Sequence, residues 1–279
     1  MSGQLVKHFH LLPVCWVLHP RETNEQMTDT TASNALESCR HSSIRHSKDG
    51  VDTRFQHDDT IDTKLPSLPL NKKGYRRSKR AHLPKQSDIV ALDCEMVGVG
   101  EKGRISSAAW ITVIDWFGNV VLDQYIAQDE PVTDYRTEIS GIREQDLQAA
   151  TITLTECREM VLNILHGRIL VGHSLKSDLN ALGIAQHHHP WWLIRDTARY
   201  TPFLQNRPGN RTLMPRKLRD LAKEHLHRDI QVSGSPHSPY EDALASLDLY
   251  KINRPKWEAV MIFKVKKTRR IQLEQQRRQ

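Results

Sequence analysis

Cysteine is scarce in this chain. Four occur in 279 residues, at Cys15, Cys39, Cys94 and Cys157, and no two form a C-x-x-C pair. That scatter argues against a zinc ribbon and against a disulfide framework, and it fits a reducing compartment. Long apolar runs are also missing. No stretch approaches the roughly 20 residues that cross a bilayer, so no membrane partner is expected. Tandem repeats are absent, which removes solenoid architectures. No acid precedes Glu22, but the apolar patch Leu11–Leu18 is short, is broken by Pro13 and has no convincing cleavage site, so it makes a weak leader.

What the chain has in excess is positive charge. Its 40 Lys and Arg outnumber 33 Asp and Glu for a formal net charge of +7, which makes a polyanion a natural partner. Residues 1–86 lack the apolar periodicity of a folded domain. From Glu22 to Thr63 they are rich in Ser, Thr, Asp, Asn and His, which predicts disorder. Asn71 to Arg80 then reads N-K-K-G-Y-R-R-S-K-R without an acid. Such a cluster is either a nuclear-localisation or nucleic-acid patch, or a solvated linker.

The folded region, 87–260, opens on the stretch around which the rest is organised: I-V-A-L-D-C-E-M-V-G-V-G, Ile89 to Gly100. Strand side chains alternate faces, so Asp93 and Glu95 point one way while Leu92, Cys94 and Met96 point the other. Two carboxylates on one face of a buried strand repel and are costly to desolvate. Either they are hydrated at a strand end, or a divalent cation holds them.

Strands are predicted over Asp88–Val97, Ile105–Asp115 and Val120–Ala127, the last two joined by a turn at Gly118-Asn119. A loop spans Pro131–Ile142. Thr153 to His166 carries Leu154, Cys157, Val161 and Leu165 at helical spacing. Short strands follow at Arg168–Gly172 and Trp191–Thr197, with a helix between them capped by Ser174. Another helix covers Pro215–His225. S-P-Y-E marks the start of a helix over Ser238–Ile252, with Pro255 beyond its end. From residue 261 the chain becomes a basic tail. Strands first and alternating helices afterwards predict an α/β fold, a mixed sheet with helices on its faces.

Three further residues join the acidic pair. Asp178 lies at the margin of the stripe made by Leu175, Leu179 and Leu182, where it can lean over a sheet edge. Asp242 sits near the start of the S-P-Y-E helix, where the helix dipole favours negative charge. His237 immediately precedes that helix. Taken singly these are a surface acid, a dipole partner and an ordinary loop histidine. Together, four carboxylates suit hard cations such as Mg²⁺ or Mn²⁺. His187-His188-His189, by contrast, reads as an exposed loop. His173 and Asp196 read as structural hydrogen-bonding residues, and Trp191-Trp192 as core or rim packing.

The motifs D-C-E-M-V-G, T-D-Y-R-T-x-x-S-G-I, V-G-H-x-x-x-x-D and H-S-x-x-E-D-A, in that order, resemble those of the DEDDh exonucleases. These belong to the DnaQ-like superfamily with a ribonuclease-H fold, and the likeness is closest to the RNA exonuclease 4 group and its interferon-stimulated relatives. It covers Asp88 to Trp257. The resemblance implies that Asp93, Glu95, Asp178 and Asp242 hold two metal ions, that His237 is the general base, and that Met96 and Arg136 approach the terminal nucleotide. It implies a 3′→5′ exonuclease that releases nucleoside 5′-monophosphates from single-stranded RNA, with ribosomal RNA processing in the nucleus or nucleolus as the setting. A DNA-directed exonuclease and an inactive RNA-binding scaffold are the alternatives. The chain departs from the family at Ala109–Thr112, where A-W-I-T replaces A-R-x-S and Trp110 stands for an arginine. Pro239 and Leu244 occupy two other positions that vary or differ.

Overall fold

The computed structural model describes residues 83–185, 187–206, 209 and 212–278. The extension through residue 82, with its basic cluster, lies outside them. The first three strands are β1 (Ile89–Val99), β2 (Ile105–Asp115) and β3 (Val120–Ala127). The hairpin from β2 to β3 turns where expected. Asp115 Oδ1 accepts from the Phe117 and Asn119 amides at 2.8 and 2.9 Å. The segment after β3, predicted as a loop, contains β4 (Val132–Asp134) and α1 (Thr137–Ser140). Next come α2 (Glu144–Gln148), β5 (Ile152–Thr153) and α3 (Leu154–Leu165). Thr153 and Glu156 form the capping box that starts α3.

β6 (Ile169–Gly172), α4 (Lys176–Ala181) and β7 (Ile194–Asp196) follow. The expected strand at Trp191–Thr197 thus shrinks to three residues, because Trp191–Leu193 forms a 3₁₀ turn. A small ribbon pairs β8 (Gln205–Asn206) with β9 (Leu213–Met214). α5 (Leu218–Leu226) starts three residues after Pro215, so that proline does not open the helix. The last element is α6 (Pro239–Gln276). None of the described helices is long and apolar enough to cross a membrane.

The main sheet has the order β5-β3-β2-β1-β6-β7, with β4 also on β1. β1 is antiparallel to β2 and parallel to β6. Both faces of β1 are covered, which is why Ile89 to Leu92 is a continuous apolar run. Ile89 and Ala91 face α6 with Ile169, Val171, Leu247 and Tyr250. Val90, Leu92 and Cys94 face α3 and α4 with Val161, Leu165, Leu175 and Leu179. The result is the expected mixed sheet flanked by helices.

α6 departs most from its sequence reading. It runs straight through Pro255, which removes one backbone donor and normally breaks a helix. Contacts on both sides of the proline outweigh that cost. Trp257 stacks on Tyr200 with ring centroids 3.9 Å apart and 7° between planes. Glu258 takes a two-pronged ion pair from Arg195 at 2.7 and 2.8 Å and a hydrogen bond from Tyr250 Oη at 3.0 Å. The basic residues after 261 therefore continue a helix.

Candidate active site

β6 pairs with β1 only over Ile89 to Ala91 and ends at Gly172. Between Ala91 and Gly98, where β4 takes over the pairing, β1 runs on with its β6-side edge open, and Asp93 and Glu95 stand there. Crevices at the carboxyl ends of parallel strands are where α/β sheets bind ligands. The two acids share the face of Ile89 and Ala91, the face on which α6 packs.

Asp242 reaches that face from the first turn of α6. Ser238 caps the helix, accepting from the Glu241 amide, and Pro239 occupies its first position. Asp178 comes from the other layer. It rounds the open edge of β1, where its Oδ1 accepts from the Cys94 amide at 3.1 Å. It is 4% exposed, deeper than its place at a stripe margin suggested. The approach of α4 needs Gly172. A Cβ there would lie 2.4 Å from Leu175 Cδ2 and 2.8 Å from the Leu92 carbonyl. Ser174 does not cap α4: it adopts φ 59° and its amide donates to Asp196 Oδ1 instead.

His237 is fixed by its own backbone, whose amide donates to the Ile139 carbonyl at 2.7 Å. This docks α1 against the loop before α6. Gly141 makes the contact feasible, since it has φ 72° and a Cβ there would meet Pro236 Cβ at 2.8 Å. His237 Nδ1 lies 3.8 Å from Glu95 Oε1. Glu95, His237 and Asp242 each offer a ligand atom within 4.8 Å of the others.

The electrostatics are those of an uncompensated acidic cluster. Among the described residues no Lys or Arg pairs with any of the four acids. Burial, then the charges of Asp242 and Asp178, push Glu95 up to about 8. Burial is the main cause that raises Asp178 to about 7 and Asp242 to about 6. Asp93 is held well above the usual carboxylate range by burial and by the other three acids. Burial and the Arg219 charge lower His237, so its imidazole is neutral at pH 7. Asp242 Oδ1 is buried and has no hydrogen-bond partner. An orphaned carboxylate oxygen among converging acids is what a hard divalent cation would satisfy, so these residues fit such an ion.

Met96 and Arg136, the two expected nucleotide contacts, have protein neighbours of their own. Met96 is half-buried against the Leu92 and Cys94 cluster. The Arg136 guanidinium donates to Ser106 Oγ and to the Gly103 carbonyl, each at 2.9 Å, and lies 3.9 Å from Asp134. His173 and Asp196 are the structural residues expected. His173 Nδ1 is 2.8 Å from Thr197 Oγ1, and Asp196 Oδ1 accepts from the Ser174 and Ala198 amides. His189 corrects the exposed-loop reading, because it is buried at 3% exposure. Trp110 is half-buried against Tyr125 and donates Nε1–H to Asp123 at 2.7 Å.

Gln231 carried no signal in the sequence. Its Nε2 donates to Asp242 Oδ2 at 2.6 Å from a left-handed backbone with φ 50°. No residue spacing marks a glutamine in a loop as the support of an acid on the next helix.

Comparison with known proteins shows the family. The family model described as Exonuclease matches residues 90–250. RNA exonuclease 4 of Kluyveromyces lactis is 44% identical over 169 residues, covering 61% of this chain and 54% of that protein. The human apoptosis-enhancing nuclease is 39% identical over 179 residues, 64% of this chain and 54% of its own. The chain thus spans about half the length of these curated relatives. Among solved structures, the Saccharomyces cerevisiae Pan2 pseudoubiquitin hydrolase-RNA exonuclease module in complex with A7 RNA aligns with a TM-score of 0.51 at 27% identity. The match covers 71% of this chain and 34% of that one. The chain belongs to the exonuclease family, among the DEDDh members close to RNA exonuclease 4.

Proposed function

We propose that the protein is a metal-dependent 3′→5′ exoribonuclease that releases nucleoside 5′-monophosphates. The observation that carries this reading is the convergence of four unpaired carboxylates and a neutral histidine at the open edge of β1. Asp93, Glu95, Asp178 and Asp242 would hold Mg²⁺ or Mn²⁺. Bound there, two such ions would stabilise the charge on the attacking and leaving oxygens of a phosphodiester.

The chain's own groups do the rest. His237, neutral and partly exposed, takes the proton of the attacking water. The Ile139 carbonyl keeps its loop at the rim of the cluster. The Cys94 amide orients Asp178, and the Gln231 amide orients Asp242. RNA as the substrate is supported by the relative named RNA exonuclease 4 and by the RNA-bound neighbour. The Lys and Arg of segment 71–80 and of the end of α6 would add salt-dependent, sequence-independent affinity. They also suit a nuclear or nucleolar location and a role in ribosomal RNA processing.

The test is product analysis. Purified protein with Mn²⁺ and a uniformly labelled single-stranded RNA should yield nucleoside 5′-monophosphates from the first turnovers. A 3′-phosphate on the RNA should slow release strongly. Nucleoside 3′-monophosphates or internal fragments would refute this mechanism.

A further inference from the structure

A cavity of about 350 Å³ lies beside α4, and the acid cluster does not line it. Lys176 and Asn180 line it, and each is two residues from Asp178. At 100° per residue Lys176 and Asn180 stand about 200° round the helix from Asp178, while Leu175 and Leu179, which also line the cavity, stand about 60° and 100° from it, so the polar part of the lining points away from Asp178. The segment His187 to Trp192 closes the cavity. This is the His-rich and Trp-rich stretch that the acid cluster leaves unused.

The lining combines three chemistries. The floor is apolar, with Leu179, Ile184 and Ile194. The wall is aromatic: Trp191 is 42% exposed and is set edge-on to Trp192 with centroids 5.9 Å apart. The charged lining is two cations and one acid, Lys176, Arg199 and Asp196. Lys176 has no ion-pair partner among the described residues, and Arg199 has only the electrostatic pull of Asp196. His189 also lines the cavity. It is 3% exposed and its Nε2 has no hydrogen-bond partner.

An exposed indole over an apolar floor suits the flat face of a nucleobase. Lys176 suits a phosphate, beside an Arg199 shared with the cavity-lining Asp196, and the Asn180 amide and the His189 ring suit a base edge. We propose that this cavity is a second nucleotide site, which takes one base and its phosphate from the single-stranded RNA whose 3′ end lies at the acid cluster. The site rests on the exoribonuclease reading for its substrate class. It adds a place where the strand is held apart from the place where it is cut.

The test separates holding from cutting. Binding of a short 5′-fluorescein single-stranded RNA to the full chain is measured by anisotropy in EDTA, where no cutting occurs. Hydrolysis of bis(p-nitrophenyl) phosphate with Mn²⁺, a diester too small to reach across α4, reads the acid cluster alone. Trp191→Ala, and Lys176→Ala combined with Arg199→Ala, are each expected to weaken RNA binding about tenfold, the scale of one stacked base. Trp191→Phe should restore most of it, and all variants should hydrolyse the small diester at the wild-type rate. Unchanged RNA affinity in both alanine variants would overturn the site, and would leave the cavity to a different occupant such as a peptide. Equal loss of affinity and of small-diester hydrolysis would also overturn it, by showing a structural role. A wild-type protein that hydrolyses neither the small diester nor the same RNA when Mn²⁺ is supplied would sink the nuclease reading, while the anisotropy comparison would still decide the cavity.

Discussion

Gln231 Nε2 donates to Asp242 Oδ2 at 2.6 Å and leaves Asp242 Oδ1 without a partner. The bond fixes the plane of the carboxylate, so one oxygen is committed to the protein and the other is free for a cation. Groups that orient a ligand in this way typically contribute 10–100-fold to metal affinity. Gln231→Leu should therefore raise the Mn²⁺ concentration needed for half-maximal stabilisation in a thermal melt by roughly tenfold or more. An unchanged midpoint would show that Asp242 needs no support.

The raised carboxyls make a prediction about pH. Glu95 titrates near 8 in the fold against 4.5 as an ordinary carboxyl, and Asp178 and Asp242 near 7 and 6 against 3.8. The metal-free folded state therefore binds protons more tightly than the unfolded chain. Its stability from these groups is complete below about pH 4 and is lost as pH rises through 6 to 8. Each tenfold difference in proton affinity is worth about 1.4 kcal/mol, and a kcal/mol is roughly 2–4 °C of Tm in a domain of this size. In EDTA the Tm should fall between pH 5 and pH 8, and Glu95→Gln should flatten much of that fall. Mg²⁺ or Mn²⁺ should raise Tm more at pH 8 than at pH 5, since the cation competes with protons. A Tm that is flat with pH and indifferent to metal would contradict the cluster's electrostatics.

Arg195 and Glu258 form a buried pair that anchors α6 past its proline. Glu258→Ala leaves the guanidinium buried without its counter-charge and should cost about 3–5 kcal/mol. Arg195→Met with Glu258→Leu should recover most of that loss. Urea unfolding measures both. A double variant no better than the single one would show that packing, rather than the stranded charge, sets the cost.

Trp110 stands where the motif resemblance leads one to expect an arginine, and Asp123 accepts its indole N–H. The same carboxylate can pair with a guanidinium, so Trp110→Arg should change stability by no more than about 1 kcal/mol. Trp110→Ala should cost about 2 kcal/mol, through the lost contact with Tyr125. Thermal melts that reverse this order would mean that a guanidinium at this position does not pair with Asp123.

The sequence disclosed the elements whose cause is local. Period-two alternation placed Asp93 and Glu95 on one face, and the bounds of β2 and β3 followed from apolar runs around a turn. Ser238 marked its helix because caps are short-range chemistry, and α3 was marked by the helical spacing of its apolar residues. What escaped is long-range. α6 continues past Pro255 because of Arg195, 63 residues before Glu258, and because of Tyr200 under Trp257. Ser174 gives its amide to Asp196, 22 residues away, instead of capping α4. His189 is buried by packing that no histidine tract announces. Of the candidate site, the acids and His237 were visible as motifs, while Gln231 and the Ile139 carbonyl were not. A lone amide and a backbone oxygen have no spacing to recognise.

The central claim is tested most directly by incubating 5′-labelled single-stranded RNA, and DNA of the same sequence, with wild-type protein and with Asp93→Ala, in Mg²⁺, in Mn²⁺ and in EDTA. The account predicts a ladder that shortens from the 3′ end on RNA, that EDTA abolishes and that Asp93→Ala does not produce, although the variant stays folded. A strand that stays intact in every metal, or an Asp93→Ala variant that cuts as fast as wild type, would contradict it.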